Sequence, residues 1–354
     1  MKAFFSEDQL LHSPQQFMRL GKICAPTDLP ARAETLQATL TRRGIAIEVP
    51  PDFGRAPLDG VHSPHYLDFF ENAYARWQAL AAEGLSPGIE VLPNLHPHYS
   101  GRVESLGRPP CPSPSIVAQS GYYLSDLAVP IGPHTWHSAL RATHTAVAAA
   151  DYVASGHALA YALCRPSGHH AHFDRAGGFC YLNNSAAAAQ RLRATFAKVA
   201  VLDVDAHHGD GTQNIFYQRD DVMTVSLHAD PTHYYPFYTG YANELGFGAG
   251  EGYNLNIPLP HGSGNDTFLF ALDRALDALR AYQPDALVLP LGFDTYKDDP
   301  ITVLKLDMDA YRAIGERVGA LGIPTVVVQE GGYMVEAIGP ALDAFLQGMA
   351  AVAA

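Results

Sequence analysis

Three residues that commonly ligate metals stand close together in the segment 198–213, which reads KVAVLDVDAHHGDGTQ. The apolar residues 199–202 predict a buried strand, and Asp203, Asp205 and His207 follow at alternate positions. Because a strand alternates its side chains between two faces, we expect these three to point the same way. Burying two carboxylates and an imidazole together requires positive charge, which a divalent metal such as zinc supplies. The competing interpretation is that one or two of them are solvated loop residues beyond the strand.

Four predicted strands are each followed by residues that could do chemistry. These are His169 and His170 after the strand at 157–163, Asp205 and His207 at the end of the strand at 199–205, Asp294 after 286–291, and Glu330 and Tyr333 after 325–329. Helical patterns at 183–196, 266–282 and 308–321 lie between or beside these strands. Alternating strands and helices predict a parallel sheet with crossover helices, in which the carboxyl ends of the strands meet at one edge. The sequence therefore predicts an α/β fold with a composite polar site.

Composition excludes several classes of protein. The chain has 354 residues and no convincing linker, so we predict a single domain over 1–354. The net charge of −13 argues against nucleic acid as a partner and suits a cationic substrate, although it could serve solubility alone. Neither a membrane helix nor a secretory signal is recognisable, and the four cysteines are widely spaced. We expect a cytoplasmic protein with no membrane partner.

The least regular part of the chain is the segment 83–133. It is rich in Pro and Gly and includes RPPCPSP at 108–114. A loop of this length in a compact protein is usually functional, as a lid, a channel wall or a subunit contact.

Six motifs stand in order along the chain: RPSGHHAH, GGFCYLNN, LDVDAHHGDGTQ, TVSLH, LGFDTYKDDP and EGGY. Their order and spacing resemble the histone deacetylase family over nearly the whole chain. FSEDQ near the start, SGYY, HADP and DPITVLKL are similar to its bacterial branch, the acetylpolyamine amidohydrolases. The resemblance implies the arginase–deacetylase α/β fold, a single domain with a mostly parallel eight-stranded sheet between helices.

The resemblance also implies roles for individual residues. Asp205, His207 and Asp294 match the ligands of one catalytic zinc ion, which leaves a position open for water and the substrate carbonyl. The sequence leaves open which divalent metal is native. Arginase-type relatives of this fold bind a second metal through D-A-H-x-D and D-x-D elements, but Gly209 and Tyr296 stand where the second carboxylate of each element would be.

The catalytic residues match by position as well. We assign His170 as general base and as the acid for the leaving amine, with His169 acting electrostatically or as the alternative acid. Asp203 and Asp210 match the carboxylates behind His169 and His170, and Tyr333 matches the phenol that donates to the oxyanion.

Further positions match the substrate channel and structural cations. Phe179 and Tyr235 match the aromatic channel walls, with core packing as the alternative. Ile301 stands where some polyamine deacetylases carry an acidic gatekeeper, and Val117 where a Glu can hold a distal ammonium. The residues matching two potassium or sodium sites are Asp203, Asp205, His207, Ser226 and Leu227 for the first, and Phe216, Arg219 and Val222 for the second.

These matches predict a zinc-dependent amidohydrolase that deacetylates small N-acetylated amines, with cationic acetylpolyamines as the leading substrates. The alternatives are a deacylase of acyl-lysine peptides or of another small acylated amine, and a catalytically silent binder of acetylated ligands. The resemblance further implies a homodimer in which residues 83–133 narrow the channel rim.

Overall fold

A parallel eight-stranded sheet forms the centre of the computed structural model, which describes residues 1–96 and 107–352. In chain order the strands are β1 (Lys2–Phe4), β2 (Phe17–Arg19), β3 (Lys22–Cys24), β4 (Ile47–Glu48), β5 (Leu159–Ala162), β6 (Val199–Asp203), β7 (Val222–Ala229), β8 (Asn254–Leu259), β9 (Ala286–Leu291) and β10 (Thr325–Gln329). The sheet order is β4-β1-β5-β10-β9-β6-β7-β8, while β2 and β3 form a separate antiparallel hairpin.

Helices cover both faces of this sheet. They are α1 (Pro30–Arg42), α2 (Pro64–Ala79), α3 (Ile116–Tyr123), α4 (Thr135–Ala154), α5 (Asn184–Leu192), α6 (Asp210–Phe216), α7 (Asn265–Tyr282), α8 (Met308–Gly319) and α9 (Val335–Val352). Helices α1, α7, α8 and α9 share one apolar core with the sheet, and α4, α5 and α6 share a second. Both faces of the strands are therefore buried, which explains their continuous apolar runs.

The predicted α/β fold with a mostly parallel eight-stranded sheet between helices is confirmed. One local prediction was wrong: β6 ends at Asp203, so Asp205 and His207 lie in the turn beyond it and not on the strand itself. The irregular segment 83–133 contains α3, and its residues 97–106 lie outside the described part of the chain.

Four central strands carry the predicted site at their carboxyl ends. Neighbouring β5, β10, β9 and β6 pair in parallel, so the segments that follow them lie side by side. Across residues 1–96 and 107–352, no helix combines the length and the apolar character required to span a membrane.

Candidate active site

Asp205, His207 and Asp294 form a buried cluster at this edge of the sheet. One ligand atom from each lies within 4.8 Å of the other two. His207 Nδ1 lies 3.0 Å from an Asp294 carboxylate oxygen and 3.3 Å from an Asp205 oxygen. The Gly331 N–H donates to Asp205 at 2.8 Å, and the Ala206 N–H donates to Asp294 at 3.1 Å. Backbone donors from two segments thus fix both carboxylates.

The charge of this cluster suits a divalent cation. Burial and the neighbouring Asp205 raise the pKa of Asp294 to about 6. Burial disfavours the charged imidazole, but the hydrogen bonds to Asp205 and Asp294 raise the pKa of His207 to about 9. The raised pKa values show that the cluster favours bound protons, and a divalent cation could neutralise the same negative charge. Two carboxylates and one imidazole are a donor set that fits zinc.

Two glycines make room for these carboxylates. A Cβ atom on Gly292 would overlap an Asp205 oxygen, and one on Gly331 would overlap an Asp294 oxygen. The sequence around the cluster therefore requires glycine at both positions, because the backbone passes directly against the two ligand side chains.

His169 and His170 each pair with one carboxylate. His169 Nδ1 donates to Asp203 at 2.9 Å, and His170 Nδ1 donates to Asp210 at 2.7 Å. Each bond leaves the Nε2 atom of its ring facing away from the carboxylate. Asp203 also accepts the Asp205 N–H at 3.0 Å, so it supports both His169 and the metal-ligand turn.

The segment after β10 carries Tyr333 to the same place. Gly332 adopts a φ of +113°, a conformation that residues with a side chain rarely adopt, and so turns the chain before Tyr333. Asp299 accepts the Tyr333 and Met334 N–H groups at 2.7 and 3.1 Å. Burial raises the pKa of Tyr333 well above its usual value, so its phenol stays protonated and can donate a hydrogen bond.

The two predicted channel walls flank these groups. The Phe179 ring makes an edge contact with the Tyr333 ring, with centroids 5.8 Å apart. The Tyr235 ring makes an edge contact with His170 at 4.9 Å. Phe179 adopts a φ of +67°, which is a strained conformation for a non-glycine residue. Both rings thus contact catalytic candidates, and both are only half-buried, which favours the wall assignment over core packing.

Among models of known protein families, that of the histone deacetylase domain matches residues 26–349. The chain belongs to the histone deacetylase family. The family assignment predicted from the motifs is thereby confirmed.

Full-length similarity extends to named members of this family. The chain is 45% identical to an acetylpolyamine amidohydrolase of Burkholderia pseudomallei over 352 residues, which cover 99% of each chain. It is 43% identical to acetylpolyamine amidohydrolase 1 of Pseudomonas aeruginosa, with 98% of each chain covered. A crystal structure of the acetylpolyamine aminohydrolase from Burkholderia pseudomallei superposes with a TM-score of 0.93, at 45% identity and 99% coverage of both chains.

The two predicted potassium or sodium sites lie at different ends of β6 and β7, because Val222 pairs with Val199 at the start of these strands whereas Asp203 lies at the end of β6. The pairing of β6 with β7 places Asp203 opposite Ser226, with Leu227 next along β7. The Arg219 N–H donates to the Phe216 carbonyl oxygen at 2.9 Å in the turn that leads to Val222. Binding of potassium or sodium at either place stays a prediction.

Ile301 connects to the candidate metal ligand His207 through a residue that sequence reasoning missed. The Tyr234 ring stacks on His207 with centroids 4.5 Å apart, and its hydroxyl donates to the Ile301 carbonyl oxygen at 2.8 Å. Tyr234 directly precedes the predicted wall residue Tyr235, and this position in the sequence was the signal that could have identified it.

Two further residues that support the site were missed as well. Arg32 in α1 donates to the carbonyl oxygens of Glu330 and Gly332, and its guanidinium lies 4.6 Å from the centre of the Tyr333 ring. Asp126 accepts from the Tyr235 hydroxyl at 2.8 Å and from the Gly178 N–H at 2.9 Å. Asp126 therefore connects the backbone before Phe179 with the Tyr235 side chain. Neither residue stands in a motif of its own.

Proposed function

We propose that the chain is a metal-dependent amidohydrolase that removes acetyl groups from small N-acetylated amines, with acetylpolyamines as the leading substrates. The observation that carries this proposal is the assembly of three candidate metal ligands, a His–Asp pair and a phenol around one buried edge. Full-length similarity to proteins named acetylpolyamine amidohydrolases supports it.

The donor set suits one zinc ion per chain, held by Asp205, His207 and Asp294. When bound, zinc would polarise the acyl carbonyl and make a water molecule more acidic. His170 then accepts the proton of the attacking water at Nε2, because Asp210 holds its Nδ1–H. His170 returns a proton to the amine as the carbon–nitrogen bond breaks, which completes hydrolysis. His169, paired with Asp203, contributes positive charge beside the reacting group.

Tyr333 donates its hydroxyl hydrogen to the carbonyl oxygen as that atom gains negative charge. Because the attraction strengthens with the charge, this contact stabilises the transition state more than the bound substrate. Phe179 and Tyr235 enclose an alkyl stem between their rings, and their contacts with Tyr333 and His170 support that role.

The distal ammonium of a polyamine requires an anionic partner or a negative field. Val117 and Ile301 are apolar at positions where relatives can carry acids, so we propose that the net charge of −13 attracts the cation.

A panel of acetylated diamines, acetylspermidine and acetyl-lysine peptides tests the substrate class. We expect acetylated diamines to react fastest and their kcat/KM to fall as salt screens the attraction. Faster turnover of acetylated histone tails would overturn the polyamine assignment, and no turnover of any acetyl amide would overturn the proposed activity.

Metal dependence has a direct test. The Asp294→Ala variant should lose stoichiometric zinc and activity together, because the cluster then keeps only two ligands. His157→Ala is the control, since His157 is exposed and precedes β5 at the opposite edge of the sheet. Metal content by mass spectrometry and turnover are measured on both variants. Full activity of metal-free Asp294→Ala would contradict the proposal.

A further inference from the structure

His172 lies two residues beyond His170, in a turn whose backbone is fixed by hydrogen bonds. The His172 N–H donates to the Arg175 carbonyl oxygen at 2.9 Å, which closes the turn. His62 accepts the Asn183 N–H at Nε2, so it donates from Nδ1 to the His172 carbonyl oxygen, at 2.9 Å in both cases. The backbone of His172 is therefore fixed by its own turn and by His62 from another segment.

The ring of His172 makes two polar contacts that define its tautomer. Its Nδ1 atom lies 3.1 Å from a guanidinium nitrogen of Arg175, and its Nε2 atom lies 2.8 Å from an Asp210 carboxylate oxygen. A guanidinium has only donors, so Nδ1 must accept and the proton must sit on Nε2. His172 thus accepts from Arg175 at Nδ1 and donates to Asp210 from Nε2.

Asp210 consequently holds two imidazoles, one on each carboxylate oxygen. Its Oδ1 atom accepts from His170 and its Oδ2 atom accepts from His172. Arg175 is held in turn by Asp174, at 3.4 Å, and Asp174 also accepts from Arg108 at 2.9 Å. The contacts from Arg175 through His172 therefore orient the buried Asp210 carboxylate so that each of its oxygens accepts one hydrogen bond.

We infer that His172 is a positioning residue, which with Arg175 behind it orients Asp210 and thereby holds His170 with its proton on Nδ1 and its Nε2 free. The inference rests on the proposed function only for the part that His170 takes in hydrolysis. The contacts themselves involve none of the three metal-ligand candidates.

Two substitutions separate hydrogen bonding from packing. His172→Leu removes both the donor to Asp210 and the acceptor for Arg175. His172→Gln keeps both on one planar amide, whose NH₂ can donate to Asp210 while its oxygen accepts from Arg175. We expect His172→Leu to lower kcat about tenfold with KM nearly unchanged, as for other residues that orient catalytic groups. His172→Gln should restore most of the wild-type kcat.

His144 provides a matched control. Its Nδ1 atom accepts from Arg141 at 3.1 Å and its Nε2 atom donates to the Gly54 carbonyl oxygen at 2.8 Å, which is the same pair of roles away from the site. His144→Leu should therefore lower thermal stability and leave kcat of the folded enzyme unchanged. If it lowers kcat as much as His172→Leu does, or if His172→Gln is as impaired as His172→Leu, the inference is overturned.

A spectroscopic readout is independent of turnover. In zinc-loaded wild-type protein the His170 Nδ1–H bonded to Asp210 should give a downfield proton NMR signal, assigned by its loss in His170→Ala. His172→Gln should keep that signal, and His172→Leu should broaden or shift it because the carboxylate is freed on one side. An unchanged signal in His172→Leu would overturn the inference. If no acetyl amide is hydrolysed, the proposed function fails, yet this comparison still decides the inference.

Discussion

His169 and His170 are adjacent and buried, yet their surroundings shift their pKa values in opposite directions. Burial and the neighbouring His169 lower the pKa of His170 to about 4. Burial also opposes protonation of His169, but the carboxylates of Asp203 and Asp205 raise its pKa well above the usual value. One ring is therefore neutral and able to accept a proton, while the other carries charge, which agrees with the proposed division of roles.

At the residue scale, Tyr333→Phe tests the oxyanion contact. Removing one preorganised donor typically lowers kcat about 10²–10³-fold. We expect a loss of that size in kcat, with little change in KM and with zinc still bound, because Tyr333 is not among the metal-ligand candidates. Steady-state kinetics with an acetylated diamine measures both constants. Wild-type kcat in Tyr333→Phe would show that another group stabilises the oxyanion.

At the scale of elements, the segment between β10 and α9 is fixed by hydrogen bonds to two other parts of the chain. Arg32 from α1 binds its carbonyl oxygens, and Asp299 accepts the N–H groups of Tyr333 and Met334. These contacts join the helix layer, the loop after β9 and the site edge. The position of the Tyr333 phenol thus depends on three separate parts of the chain.

Asp299→Ala tests this arrangement. Buried N–H groups left without an acceptor cost about 1–3 kcal/mol, so the Tyr333 segment should loosen. We expect kcat to fall about tenfold or more, since misplacing a catalytic group by a small distance is costly. Asp298→Ala is the matched control, because Asp298 is adjacent and exposed whereas Asp299 is buried. Equal kcat values for the two variants would contradict the supporting role of Asp299.

At the scale of the whole molecule, the homodimer stays a prediction, and exposed apolar residues suggest where to test it. Ile89 and Leu95 in the irregular segment are 64% and 63% exposed, and Leu20 in the β2–β3 hairpin is 90% exposed. Exposed apolar side chains mark protein contacts where they form a contiguous patch. We propose that a second copy of the chain covers them and narrows the channel rim.

Sedimentation measures this proposal directly. The wild type should sediment as a dimer, and Ile89→Glu combined with Leu95→Glu should shift it to a monomer with relaxed selectivity toward acetylated peptides. Phe270→Glu in α7 is the control, because Phe270 is 68% exposed outside the irregular segment. A monomeric wild type would contradict the dimer while leaving the hydrolytic proposal intact.

Stability of the whole molecule should depend on buried neutral histidines. Burial lowers the pKa of His12 to about 3 and the pKa values of His62 and His228 to about 4. The unfolded chain binds protons on these groups below about pH 6.5 and the folded chain does not, so stability is full above that pH and falls as the pH approaches 4.

His62→Gln tests the contribution of one of these histidines to the pH dependence of stability. Glutamine can accept from Asn183 and donate to the His172 carbonyl oxygen without titrating. The loss of unfolding free energy below pH 6.5 should therefore be smaller in the variant, by up to about 1.4 kcal/mol per pH unit. Urea unfolding at several pH values gives the comparison. Identical pH dependence in the two proteins would show that His62 does not contribute.

The sequence by itself determined the fold class and the group of residues at the site edge. Apolar runs of strand length and helical patterns are local properties, and the polar residues that follow each run are readable without a structure. Motif spacing added the family, and the resemblance to that family named Asp205, His207 and Asp294 together as the ligands of one ion.

Tertiary structure alone decided how the site is held. Arg32 and Gly332 are 300 residues apart, Asp126 and Tyr235 are 109 apart, and His172 and Asp210 are 38 apart. Nothing in the local pattern pairs them, since such contacts form only when separate segments pack at the same edge. The end of β6 was decided in the same way: Asp205 and His207 leave the strand because backbone donors and carboxylates from neighbouring segments hold them in a turn.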